Sequence, residues 1–169
     1  MTESIEFNPY APPKSKFTGD IADKAPTTGL DEFPYRSTWL VLGLSIITLS
    51  FYMVYWMYSR TKILNRLTPS APIADWIPAL YISLLLVNFG FGLLEAFYGS
   101  YQEIVVVANV INLVSIVIYF IWIFKFRNRI NDLSDASRGT KRWLGVVLTF
   151  FLSVVYFQFK LNRMRDEQV

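Results

Sequence analysis

The sequence predicts an all-α integral membrane protein with about four hydrophobic helices in a small bundle, a central antiparallel hairpin and a mobile N-terminal tail. Three observations lead there. Of 169 residues, 53% are hydrophobic and only 17% charged, and the apolar residues are gathered in blocks instead of being spread periodically. Residues 39–58, 77–94, 104–124 and 143–159 contain no Asp, Glu, Lys or Arg, and a bilayer core needs roughly 17 to 25 such residues per helix. Aromatic rings followed by bases close three of these runs: "SFYMVYWMYSRTKILNRL" (50–67), "IVIYFIWIFKFRNRI" (116–130) and "SVVYFQFKLNRM" (153–164). Trp and Tyr prefer the headgroup level, and Lys and Arg the cytoplasmic side of it, so rings then bases reads as an exit from the bilayer.

Taken in order, residues 1–35 hold five prolines and few aliphatics. Such a tail buries too little surface to offset its ordering entropy. It lacks the basic start and apolar run of a cleavable signal peptide, so the first apolar segment is expected to stay in the mature protein. The membrane domain is expected over 36–164, with helices at about 39–58, 76–98, 103–126 and 142–160, before a short tail at 165–169. In the first loop, "TPSAP" (68–72) suits a helix start at Ser70 and Pro72. "FYGSYQE" (97–103) is short and carries a Gly turn, which makes segments two and three an antiparallel hairpin.

Charge orients these segments. Loop one carries Arg60, Lys62 and Arg66, and loop three carries Lys125, Arg127, Arg129, Arg138, Lys141 and Arg142. The middle connection has no basic residue, so Leu64 and Ser134 are expected on the cytoplasmic side and Ser100 outside. If segments one and four both span, both tails lie outside and Lys160, Arg163 and Arg165 violate the rule. Otherwise the fourth segment is interfacial or re-entrant; sequence leaves both open.

Each segment also has one polar face at helical spacing. Segment one shows Ser45, Thr48, Tyr52, Tyr55 and Ser59; segment two Asn88, Gly92, Glu95 and Gly99; segment three Asn109, Asn112, Ser115 and Tyr119; segment four Gly145, Thr149, Ser153, Tyr156 and Lys160. Lipid tails supply no hydrophobic drive for association, so small residues and interhelical hydrogen bonds must hold the bundle. Asn88 and Asn112 lie equally far from Ser100, at similar depth if the turn is centred there, where their amides either glue the hairpin or form part of a ligand or ion site. Glu95 falls where segment two reaches headgroups and water, and is read either as an interfacial carboxylate or as a proton or cation group. Asn88, Glu95, Asn109 and Asn112 are thus the candidate intramembrane polar cluster. Lys125, Arg127, Arg129, Arg138, Lys141 and Arg142 are the candidate contacts to anionic headgroups.

The chain has neither Cys nor His, which removes thiol chemistry, most transition-metal sites and the commonest general base. The formal charge of +3 sits at segment edges and reads as orientation rather than nucleic-acid binding. Asp132 and Asp135 in "NDLSDASRGTKR" have no second acidic cluster to complete a magnesium site, and read as solvated charges or partners of neighbouring arginines.

The stretch "RSTWLVLGLSIITLSFYMVYWMYSRTKILN" (36–65) resembles small bacterial membrane proteins of the family called domain of unknown function four-two-three-four. Leu44, Ser45, Thr48, Leu49, Tyr52, Trp56 and Asn65 stand where that family's motif places them, and "QFKLNRM" (158–164) is similar to its closing segment. Ser50 occupies a place where the family often has Gly. "NPYAPP" (8–13) resembles tails of bacterial inner-membrane proteins. The resemblance implies a location, the bacterial inner membrane, and no activity. The expected function is a non-enzymatic scaffold or accessory subunit without cofactor, with anionic lipids and either a protein partner or a second copy as partners. The alternative is a small transporter or channel subunit with a polar site between helices.

Overall fold

A computed structural model describes residues 29–99 and 101–167. The tail expected over 1–35 lies largely outside the described residues, as does Ser100. Among the described residues, a 3-10 turn at Leu30–Glu32 is followed by five helices: α1 (Thr38–Ile47), α2 (Phe51–Leu67), α3 (Trp76–Tyr98), α4 (Gln102–Leu133) and α5 (Val146–Asp166). No strand occurs among the described residues.

The first difference from expectation lies in the segment read as one helix over 39–58. It is two helices joined by a reversal. Leu49 (φ 49°) and Ser50 (φ 73°) both adopt left-handed backbone, a conformation that costs an L-residue about 1–2 kcal/mol and ends a right-handed helix. The residues of the family-like motif build this corner. Ser50 N–H donates to the Ser45 carbonyl (2.7 Å); the Thr48 hydroxyl donates to the Leu44 carbonyl (2.7 Å) and accepts from Tyr52 N–H (2.9 Å), satisfying a free donor at the start of α2. Leu40 and Leu44 of α1 share a cavity with Tyr55 and Tyr52 of α2, so the two helices run antiparallel.

Ser50 at a left-handed position explains why glycine suits it. Ser50→Gly is expected to stabilise the protein by roughly 0.5–1 kcal/mol, since relief of the backbone penalty outweighs the entropy gained by the unfolded chain. Ser50→Val should destabilise it. Thermal unfolding in detergent measures both, and equal midpoints for the two variants would contradict the corner.

A second reversal divides the segment expected as one helix over 142–160. Within α5, Ser153 sits at φ 43°, ψ −118°. Gly145 N–H donates to the Tyr156 hydroxyl (3.1 Å), Lys160 Nζ to the Lys141 carbonyl (2.6 Å), and Arg142 pairs with Glu167 (3.4 Å). On a straight helix Gly145 and Tyr156 would lie about 16 Å apart along the axis, beyond a tyrosine's reach. The chain therefore turns back at Ser153, giving α5 a first leg over 146–152 and a second over 154–166. Gly145 and Tyr156, assigned by helical spacing to one stripe, meet because the helix folds back.

The expected central hairpin is present. α3 and α4 pair extensively across a turn at Gly99, whose φ of 84° favours a residue without Cβ. α4 runs seven residues beyond its expected end at 126, because Phe126, Ile130 and Asn131 continue its buried face through the basic stretch.

Burial is concentrated at one end. Trp56, Trp122, Phe126 and Phe157 are each 0% exposed and form one ring cluster, with centroids 5.6 Å apart for Trp56–Phe126, 5.2 Å for Trp122–Phe126 and 5.0 Å for Phe126–Phe157. Their polar atoms are met inside: Trp56 Nε1 donates to Gln158 Oε1 (2.8 Å) and Trp122 Nε1 to Thr61 Oγ1 (2.9 Å). These rings form the core, whereas Trp39, Tyr55, Tyr58 and Trp76 stay exposed. Toward the Gly99 turn the hairpin buries almost nothing: 11% of the most apolar stretch of α3 and 6% of that of α4 are covered. Both helices are long and apolar enough to cross a membrane.

Candidate functional site

A repeated local design sets the buried end. Trp56 and Asn65 are nine residues apart, as are Trp122 and Asn131. On a helix nine residues turn about 900°, which places the amide opposite the indole. The indoles enter the ring cluster and the amides reach the returning loops. Asn65 donates to the Ile73 carbonyl and accepts from Ile73 N–H, both at 2.8 Å. Asn131 accepts from Leu144 N–H (2.9 Å) and points its Nδ2 at the Leu144 carbonyl (3.4 Å). Each amide thus straps a loop to its own helix.

The candidate polar cluster divides. Asn88 and Asn112 line one cavity of about 260 Å³ between α3 and α4, together with Tyr81, Leu85, Ser115 and Tyr119. No hydrogen bond joins the two amides among the described residues. Glu95 and Asn109 are exposed and outside that cavity, Glu95 one turn before the end of α3. At the inner end the Tyr119 hydroxyl is hydrogen-bonded to Ser153 Oγ, tying the hairpin to the α5 reversal.

The candidate headgroup contacts also separate. Lys125, Arg138 and Lys141 are exposed. Arg129 pairs with Asp132 (3.4 Å) and Arg142 with Glu167. Arg127 turns inward: it is 8% exposed, donates through Nε to the Leu144 carbonyl (2.7 Å) and lies 5.0 Å from the Trp143 ring. It braces loop three instead of facing solvent. Arg60, read from sequence as an orientation signal, is likewise buried; its position among the aromatic residues of α2 gave no sign of this.

A family model described as domain of unknown function (DUF4234) matches residues 36–132, more than half of the chain. The chain belongs to the DUF4234 family. The match takes in the corner motif, both loop-strapping amides and the α3–α4 hairpin; α5, with the family-like closing segment, lies beyond it. No curated protein and no solved structure matches this DUF4234 chain.

Proposed function

We propose that this protein is a non-enzymatic membrane scaffold or accessory subunit of the bacterial inner membrane, in which α3–α4 crosses the bilayer and the basic end faces the cytoplasm. One observation carries the reading: the packed core is confined to the end that holds Lys62, Lys125 and Arg163, while the rest of the hairpin presents apolar side chains outward. A hairpin anchoring a rigid head suits holding a partner at the headgroup level, with Lys125, Arg138 and Lys141 meeting anionic lipid. The corner of α1–α2 exposes Ile46, Ile47 and Leu49, and the first leg of α5 exposes Val147 and Phe151. In this reading both dip into the cytoplasmic leaflet and return. The α3–α4 cavity at Asn88 and Asn112 favours a second reading, a transporter or channel subunit with its site there.

Cysteine labelling tests the arrangement, because the chain has no Cys of its own. Leu64 and Ser134 are buried, so Lys62 and Ser137, both exposed, are the better reporters. Cysteine at Tyr101 is expected to react with an impermeant thiol reagent in intact cells, and cysteine at Lys62, Ser137 or Asp166 only after lysis. Cysteine at Leu49 should resist in both. Labelling of position 62 from outside would reverse the orientation, and ready labelling of position 49 would put the corner in water.

A further inference from the structure

Burying a guanidinium without partners is costly, and proteins normally meet such a charge with hydrogen-bond acceptors. Arg60 departs from this. It is 4% exposed, its Nε is buried with no hydrogen-bond partner, and Nη1 reaches only the Ser59 hydroxyl at 3.4 Å. Below it lies the Trp56 ring, 5.6 Å from the guanidinium carbon, which supports a cation but offers no acceptor. Among the described residues no carboxylate pairs with Arg60 or Arg36.

Arg60 lines a partly open cavity of about 190 Å³ between α1 and α2. Arg36 lines the same cavity, with Tyr52 and Tyr55 of α2 and Leu40 and Leu44 of α1. Burial pushes the Arg60 guanidinium below its ordinary pKa; Tyr52 and Tyr55 oppose the shift, and the nearby Arg36 adds to it. Two cations therefore face one small space with two phenol hydroxyls as further donors.

We infer that the α1–α2 cavity is a binding site for a phosphate group, held by Arg60 and Arg36 with Tyr52 and Tyr55 as hydroxyl donors. A cation is excluded by the two guanidiniums. A neutral ligand leaves the buried charge unmatched. A flat carboxylate offers two oxygens, suited to one guanidinium fork, whereas tetrahedral phosphate presents oxygens to donors arriving from several directions. The volume is below the roughly 300–1,000 Å³ of pockets for drug-sized ligands, which suits a headgroup-sized moiety. Because the cavity lies at the basic end, the phosphate has two possible sources: a free phosphate compound or the headgroup of a phospholipid.

The test uses the full chain in neutral detergent, with unfolding followed by tryptophan fluorescence in sodium phosphate against sodium chloride of equal ionic strength. A parallel arm uses nanodiscs of phosphatidylcholine with and without phosphatidic acid. Phosphate or phosphatidic acid is expected to raise the unfolding midpoint, and the arm that responds names the source. Arg36 is exposed, so Arg36→Gln should fold normally yet weaken the response about tenfold, the cost of one charge-assisted hydrogen bond. Arg60→Gln should abolish it, and Arg66→Gln, at an exposed base outside the cavity and outside loop three, should leave it unchanged. No shift with either probe, or equal shifts in wild type and Arg36→Gln, would overturn the site.

Discussion

Replacing Trp56 with alanine is expected to lower unfolding stability by about 3–5 kcal/mol, the range for deleting a large aromatic from a packed core. Trp56 touches both Phe126 and Phe157, and its Nε1 holds the Gln158 amide. Gln158 in turn donates to Asn162 Oδ1 (2.7 Å), and Asn162 Nδ2 donates to the Arg36 carbonyl (2.7 Å). Loss of the indole therefore opens a cavity and frees a buried amide that anchors the chain entering α1. Denaturant unfolding in mixed micelles measures the effect, with Trp39→Ala as control, since Trp39 is 80% exposed. Equal losses in the two variants would mean that the ring cluster is not the structural core.

The second large effect is expected at Asn131. Leucine there leaves the buried Leu144 N–H without its acceptor, at a cost of about 1–3 kcal/mol. The Leu144 carbonyl keeps its bond from Arg127, so the loop should loosen without detaching. Loop three then opens more often, and its backbone at the already exposed Arg138 and Lys141 reaches the extended form that trypsin cleaves. Faster cleavage there, with cleavage at Lys62 unchanged, is the expected pattern. An unchanged cleavage rate would assign the strapping to Arg127 alone.

Length and hydropathy made α3 and α4 legible because a continuous apolar run paired through a glycine turn admits few alternatives. The two reversals were hidden for a related reason. Legs of about ten apolar residues placed end to end read as one run of spanning length, and neither Leu49, Ser50 nor Ser153 interrupts hydropathy. The readable trace of the first was Ser50 standing where the family often has Gly. The trace of the second was the charge conflict at Lys160, Arg163 and Arg165. With each terminal segment turning back on itself, the Arg36 carbonyl meets Asn162 and Arg142 meets Glu167, so those bases lie at the same end as both basic loops and the conflict disappears. The aromatic signature was misread in part, because a ring at an interface and a ring in a core leave the same letters in the sequence. The polar amides were visible as types, but helical spacing alone could not separate Asn88 and Asn112, which share a cavity, from Asn109, which does not.

The reversals at Ser50 and Ser153 bear on the surrounding lipid. Among the described residues six helical legs stand at the basic end and only the two of α3 and α4 at the other. Each leg is about 10 Å across with its side chains, so in a bilayer crossed by the hairpin the molecule claims several times more area on one side than on the other. Such a wedge packs best where the wider side faces a stretched surface. If the hairpin crosses a bilayer, that shape would couple position in the membrane to local curvature.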